Sequence, residues 1–347
     1  MENSPSPAGL AERSLRGDPL TREEASFILR WPEEDVLSLV QAAYRVRRAA
    51  FGKKVKLNFL VNIQSGLCPE DCGYCSQSKV SKAPVEKYRL MVPEEAAALA
   101  GRAVEMKASR VCLVASMRGP SERDLAAVEA AVRKVKETYP GLEVCASLGL
   151  LDDGQAERLK EAGLDVYNHN LNTSESRYGK ICTTHAYADR LGTIERIKAG
   201  GMLTCSGVLF GMGETEEDVL DVAFAVRGLK AHAVPVNFLI PVPGTPLAGT
   251  HELTPVHCLR ILALFRFLNP RAELRIAGGR ELHLRSLQPL GLLIADSIFI
   301  GDYLTTEGGT PSGDVRMIRD LGFEILGEDF PPPPADLSSE VKILNAR

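Results

Sequence analysis

The sequence predicts an α/β fold, a (β/α)8 TIM barrel with a helical extension at its amino end. Short apolar, β-branched runs alternate with amphipathic stretches of helical length from about residue 55 onward. Eight such units fill roughly 250 residues, the size of such a barrel. The chain has 347 residues, 45% of them hydrophobic, which is enough to bury a substantial core. A doubly wound open sheet is the competing arrangement on pattern alone.

The elements follow in order. Met1 to Pro19 is rich in Ser, Pro, Gly and charge and has no apolar core of a secretion signal. From residue 20 to 50 the pattern is helical, with Thr21 capping Arg22-Glu23-Glu24 and a longer amphipathic run from Glu33 to Ala49. Strands are expected at Val55 to Ile63, Arg110 to Val114, Glu143 to Leu148 and Asp165 to Asn170. Four more follow at Leu203 to Val208, Val234 to Leu239, Glu273 to Ile276 and Ser297 to Ile300. Helices are expected between them at Pro93 to Lys107, Ser121 to Thr138, Asp153 to Ala162, Ala186 to Ala199, Glu216 to Leu229 and Thr254 to Leu268. Gly322 to Asp329 and Pro331 to Pro334 read as an extended tail with no means of packing a core of its own. The resulting division is a helical extension over 1–50, a barrel over 51–325 and a tail over 326–347.

Charge narrows the partners. The formal net charge is -4, and no basic block exceeds Lys53-Lys54 or Arg47-Arg48. That gives no electrostatic footprint for nucleic acid or an anionic membrane, and a small molecule is the expected partner. No stretch approaches the roughly 18 continuous apolar residues of a spanning helix, so a soluble, cytoplasmic protein is expected. The eight cysteines then point to metal or redox work and not to a disulfide framework.

Directly after the first strand stands Cys68-Pro69-Glu70-Asp71-Cys72-Gly73-Tyr74-Cys75. Three thiols so close can wrap one soft metal centre. Three ligands instead of four would leave one iron of a cubane cluster open to an exogenous ligand. A zinc knuckle is the competing reading; it requires a fourth ligand nearby, and no further His or Cys lies close to the triplet in the sequence.

Three more cysteines fall inside separate strands: Cys112, Cys145 and Cys205. Side chains alternate between the faces of a strand, so Val111 and Val144 facing the helices turn Cys112 and Cys145 into the barrel. The same parity places Arg110 beside Cys112 and turns Arg275 inward between Leu274 and Ile276. A buried guanidinium requires a partner or an anionic centre. Singly each thiol reads as a small core hydrophobe; together with Arg275 they form a candidate second site. Asn168, Asn170 and Asn172 share one parity at the end of the fourth strand and should line the barrel mouth, where amides can offer both donors and acceptors to a ligand. Turn-forming Asn residues are the bland alternative.

The triplet, with Tyr74 before its last cysteine, resembles the radical S-adenosylmethionine superfamily. More closely, the stretch from Asn58 to Gly322 resembles the biotin synthase family. That likeness rests on Cys68 to Ser76, Tyr167-Asn168-His169-Asn170-Leu171, Cys205-Ser206-Gly207, Gly211-Met212-Gly213-Glu214-Thr215, Gly244-Thr245-Pro246-Leu247, Gly279-Arg280-Glu281 and Ser297-Ile298-Phe299. The resemblance implies a 4Fe-4S cluster on Cys68, Cys72 and Cys75. It also implies a sacrificial 2Fe-2S cluster on Cys112, Cys145, Cys205 and Arg275. It assigns Tyr74, Asn170 and Asn172 to S-adenosylmethionine and Asn168, Asn170 and Asn237 to dethiobiotin, with Asn170 and Arg275 in the catalytic set. Asn172 stands where many family members carry Asp.

The implied reaction is the last step of biotin biosynthesis. A 5′-deoxyadenosyl radical removes hydrogen from dethiobiotin C9, a sulfide of the inner cluster is captured, and a second round at C6 closes the ring. A flavodoxin or ferredoxin as electron donor and a homodimer are implied as well. Cys182 and Cys258 match no motif position and read as structural thiols. Two rivals remain. A related radical enzyme without an inner cluster, such as a hydrogenase maturase or methylornithine synthase relative, should lack the strand cysteines. A non-catalytic electron carrier should have four ligands per cluster.

Overall fold

The computed structural model describes residues 6–249 and 253–328. Within them, nine short strands close into a barrel: β1 (Lys54–Gln64), β2 (Arg110–Ala115), β3 (Glu143–Ser147), β4 (Val166–Asn168), β5 (Leu203–Cys205), β6 (Val208–Phe210), β7 (Ala233–Phe238), β8 (Glu273–Ile276) and β9 (Ser297–Phe299). All pairings are parallel. The ring closes where Leu57 of β1 pairs with Ile298 of β9, which decides for the barrel against the open sheet.

The nine segments make eight staves, because β5 and β6 are halves of one strand, both paired with β7. The break falls at Ser206-Gly207, where the sequence pattern predicts a continuous run. A Cβ on Gly207 would stand 1.9 Å from the carbonyl oxygen of Pro235, so only glycine permits this approach of the two backbones. The fourth stave is also shorter than expected, ending at Asn168.

Helices cover the outside: Pro93–Glu105, Glu122–Thr138, Gln155–Glu161, Tyr187–Ala199, Glu216–Leu229, Pro255–Leu268, Gln288–Ile294 and Pro311–Asp320. Several start on reciprocal caps, Ser121 with Asp124 and Thr215 with Asp218 among them. Val111, Val144, Val234 and Leu274 face these helices and join the main core, as strand alternation requires.

The amino-terminal extension contains α1 (Pro7–Arg16), α2 (Arg22–Leu29) and α3 (Val36–Phe51). Thr21 caps α2 in a box with Glu24, as expected, whereas α1 lies in a stretch whose Ser, Pro and Gly content concealed it. Ser6 caps it, Pro7 opens it and Gly17 closes it. The extension is docked on the barrel: Ser14 Oγ donates to the Phe267 carbonyl at 2.8 Å. Arg47, fully buried on α3, donates to the carbonyls of Lys54 (2.7 Å) and Ala295 (3.3 Å) at the amino ends of β1 and β9.

The tail reading is corrected for residues 322–328. Glu324–Ile325 forms β10, which pairs with Lys54 and Val55 of β1. Phe323 and Ile325 are buried, and the Arg47 guanidinium lies 4.1 Å from the Phe323 ring centre. The proline run at Pro331 to Pro334 lies outside the described residues.

Candidate active site

The triplet loop leaves the carboxyl end of β1 and is tied down on both sides. Gly73 N–H donates to the Ile181 carbonyl at 2.8 Å, and Leu247 N–H donates to the Gly73 carbonyl at 3.2 Å. Gln77 Oε1 accepts from Gly66 N–H at 3.0 Å. Cys68, Cys72 and Cys75 are free thiols on the rim of one cavity of about 410 Å³. Burial pushes the Cys68 thiol up to about 11, so the group stays protonated at neutral pH until a metal displaces the proton.

Two residues far along the chain reach this loop. Cys182 Sγ lies 3.7 Å from Cys72 Sγ and 3.3 Å from His185 Nδ1; sequence reading had made it a plain structural thiol. The pair brings into space the additional ligands that a zinc knuckle would need. His185 is already spoken for, however: Nδ1 meets Glu70 Oε2 at 2.6 Å and Nε2 meets the Tyr178 hydroxyl at 2.7 Å. Arg118 Nη1 completes this second layer by donating to Glu70 Oε1 at 3.0 Å. The layer holds the loop, and the three thiols of the triplet line the cavity together with Glu70 and His185, whereas Cys182 does not reach its wall.

The other end of the cavity is lined by Cys112 and Arg275, and the three strand cysteines lie together there. Cys112 and Cys145 are direct cross-strand partners on β2 and β3. With Cys205, Val166 and Ala233 they form a buried group separate from the main core. Arg275 enters from β8, its Nη1 3.9 Å from Cys205 Sγ. Hydrogen bonding with Cys145, aided by Arg275 and Arg110 against the effect of burial, pulls the Cys112 thiol below its usual value. A donor set of soft thiols and one guanidinium suits an iron–sulfur centre and not a hard oxygen-seeking cation.

Below the thiols, at the amino ends of the strands, lies a charged layer. Arg110 pairs with Glu143 (2.6 Å) and Glu273 (2.9 Å), and Lys56 reaches both carboxylates. Burial raises the Glu273 carboxyl, but Arg275, Arg110 and Lys56 outweigh it and hold it well below the usual carboxylate range.

Between rim and floor the cavity is lined by Asn168, Asn170, Asn172 and Asn237. Three of them are fixed by protein contacts. Asn170 Oδ1 accepts from Gly207 N–H at 3.0 Å, and Asn172 Nδ2 donates to the Tyr74 hydroxyl at 2.6 Å. Asn237 bridges the Val208 carbonyl and the Gly278 N–H at 3.0 and 3.1 Å. The buried Asn168 Oδ1 has no hydrogen-bond partner among the described residues and is available to a ligand donor. Glu214 of the GMGET run serves its own loop, accepting from Gly211 and Met212 N–H.

Arg190 is a site residue that sequence reading missed, because an Arg in an amphipathic helix ordinarily faces water. It is buried, lines the cavity, and donates to the Asn170 carbonyl at 2.7 Å and to the Tyr178 hydroxyl. Arg275 pairs with Glu273 and Arg118 with Glu70. Arg190 has no carboxylate partner among the described residues, and the groups that accept from it, the Asn170 carbonyl and the Tyr178 hydroxyl, are uncharged. A buried cation in that position suits the carboxylate of a ligand.

The Radical SAM superfamily profile matches residues 62–226, and that of the Biotin and Thiamin Synthesis associated domain matches residues 235–324. A biotin synthase of Streptomyces coelicolor is 56% identical over 318 residues, covering 92% of this chain and 78% of the relative. One of Bacillus licheniformis is 55% identical, covering 91% and 95%. Among solved structures, methylornithine synthase (PylB) superposes with a TM-score of 0.74 at 22% identity, covering 97% of this chain and 96% of that one. The FeFe-hydrogenase maturase HydG from Carboxydothermus hydrogenoformans gives 0.77 at 20%, covering 92% and 79%. These two share the fold. The chain therefore belongs to the biotin synthase family of radical SAM enzymes.

Proposed function

We propose that this chain converts dethiobiotin to biotin. Cys68, Cys72 and Cys75 hold a 4Fe-4S cluster at the rim, and Cys112, Cys145, Cys205 and Arg275 hold a 2Fe-2S cluster at the floor. When bound, the clusters supply the electron that cleaves S-adenosylmethionine and the sulfur that enters the product. The observation carrying this reading is the single cavity that runs from the rim triplet to Cys112 and Arg275 with amides along its wall.

The chain's own residues bind and orient. Asn168, Asn170 and Asn237 offer donors and acceptors to the ureido ring of dethiobiotin. Tyr74, Asn170 and Asn172 face the nucleoside, and Arg190 takes the methionyl carboxylate. The barrel walls exclude water and competing hydrogen donors from a reactive carbon radical. A reduced flavodoxin or ferredoxin as donor, a homodimer, a cytoplasmic setting and division into an extension (1–50), a barrel (51–325) and a tail (326–347) complete the reading; family membership supports the donor and the dimer.

The test uses anaerobically reconstituted protein. Cys112→Ala, Cys145→Ala and Cys205→Ala should each remove the 2Fe-2S absorption while S-adenosylmethionine cleavage continues. Retention of that absorption in all three variants would refute the inner site, and release of 5′-deoxyadenosine without biotin by the unmodified enzyme would refute the sulfur step.

A further inference from the structure

Glu273 opens β8 two residues before Arg275, so strand alternation turns both into the barrel. The nitrogens of Arg275 are not equivalent. Nη2 donates to Glu273 Oε1, Nε donates to Ser297 Oγ at 3.3 Å, and the guanidinium carbon lies 5.0 Å from the Phe299 ring centre. What remains directed at the thiols is Nη1, 3.9 Å from Cys205 Sγ.

Both polar contacts that fix this orientation converge on one carboxylate, since Ser297 Oγ itself donates to Glu273 Oε1 at 2.8 Å. Glu273 is in turn anchored from below by Arg110, with Nη1 and Nη2 each 2.9 Å from a carboxylate oxygen. Without this carboxylate, Arg275 would lose one charge-assisted bond and the partner that steadies the other. A guanidinium has five N–H donors on a long stem; Ser297 Oγ, also held by Asn58 Nδ2 at 2.7 Å, and the Phe299 ring keep it in place, but the Nη2–carboxylate bond is the contact that leaves Nη1 for the thiols.

We infer that Glu273 is a positioning residue that determines which nitrogen Arg275 presents to the inner cluster, and so sets that cluster's spectrum and retention. The inference rests on the assignment of the 2Fe-2S site to Cys112, Cys145, Cys205 and Arg275. It adds to that site a carboxylate that touches none of the thiols. Groups around a metal site that act through a ligand commonly tune it in this way.

The experiment follows the 2Fe-2S visible absorption and circular dichroism, and the rate at which a chelator removes the cluster anaerobically, in reconstituted full-length protein. Glu273→Gln keeps the shape and removes the charge; it should alter the spectrum and accelerate loss on the order of tenfold, the worth of one charge-assisted hydrogen bond. In an Arg275→Met background the same change should add less than about twofold, because the residue through which Glu273 acts is gone. A wild-type spectrum and loss rate in Glu273→Gln would overturn the inference, as would an equal acceleration in both backgrounds, which is the signature of a merely structural role. If Glu273→Gln does not fold, Glu273→Asp, which keeps the charge but is one methylene shorter, is put through the same cycle and judged by the same outcomes. Failure of Cys112→Ala to remove the absorption would instead sink the underlying site assignment, whatever Glu273 does.

Discussion

Asn172 Nδ2 donates a 2.6 Å hydrogen bond to the hydroxyl of Tyr74, joining the segment that follows the fourth stave to the loop that carries the rim thiols. Asn172 makes this contact from a left-handed backbone with φ 69°, a conformation that Asn and Asp adopt more readily than other non-glycine residues.

That pairing predicts how Asn172 tolerates change. In Asn172→Asp the carboxylate accepts from the Tyr74 hydroxyl, the link persists, and S-adenosylmethionine affinity by equilibrium dialysis should stay within about threefold, below ~1 kcal/mol. Asn172→Ala loses the bond and places alanine in the left-handed region, at a cost of ~1–2 kcal/mol. Both the unfolding midpoint and ligand affinity should fall. Equal affinities for Asn172→Ala and wild type would show that the link does not shape the site.

Arg190 is expected to bind the carboxylate of S-adenosylmethionine. A charge-assisted hydrogen bond contributes ~1.5–3 kcal/mol, so Arg190→Gln should weaken binding about 10- to 150-fold. Decarboxylated S-adenosylmethionine separates this role from a packing role. It should bind wild type less tightly than the full cofactor does, and Arg190→Gln should narrow the difference between the two ligands. A variant that still prefers the carboxylated form by the wild-type ratio would place the carboxylate elsewhere.

Gly207 sits where the two halves of the fifth stave meet and a Cβ would lie 1.9 Å from the Pro235 oxygen. Its N–H is also the donor to Asn170 Oδ1. Gly207→Ala must push the backbone away, an overpacking cost of ~1–3 kcal/mol, and the displacement acts on Asn170 directly. Lower thermal stability together with weaker cofactor binding is the expected result; loss of stability with unchanged binding would uncouple the stave break from the site.

Much of this was legible in the sequence because the relevant information is local. β-Branched runs marked the strands, and alternation along Arg110-Val111-Cys112 and Leu274-Arg275-Ile276 is enough to turn Cys112 and Arg275 inward. Barrel closure was not local. It depends on Leu57 meeting Ile298, and no period in the chain distinguishes that contact from the free edge of an open sheet. The same holds for Cys182 and His185, which reach Cys72 only through folding, and for Arg190, whose helix hides an inward cation among ordinary surface charges. The α1 helix is a different case: Ser6, Pro7 and Gly17 are start and stop signals, outweighed by a composition typical of loops.

The segment after Gly322 yields the last prediction. Its two-residue strand offers little by itself, yet Phe323 is buried and its ring stacks under Arg47, whose nitrogens hold the carbonyls of Lys54 and Ala295. Phe323 thus supports the contact that fixes α3 to the amino ends of β1 and β9. Phe323→Ala should lower stability by ~3–5 kcal/mol, the usual cost of truncating a buried Phe, read as a reduced denaturant midpoint of the cluster-free chain. Phe323→Leu keeps apolar volume but removes the ring face, and should recover part of that loss. Because this latch lies at the end of the barrel opposite the rim triplet, folded Phe323→Ala protein should still bind S-adenosylmethionine with wild-type affinity. A midpoint unchanged by Phe323→Ala would mean that the segment only lies against the barrel and does not hold it.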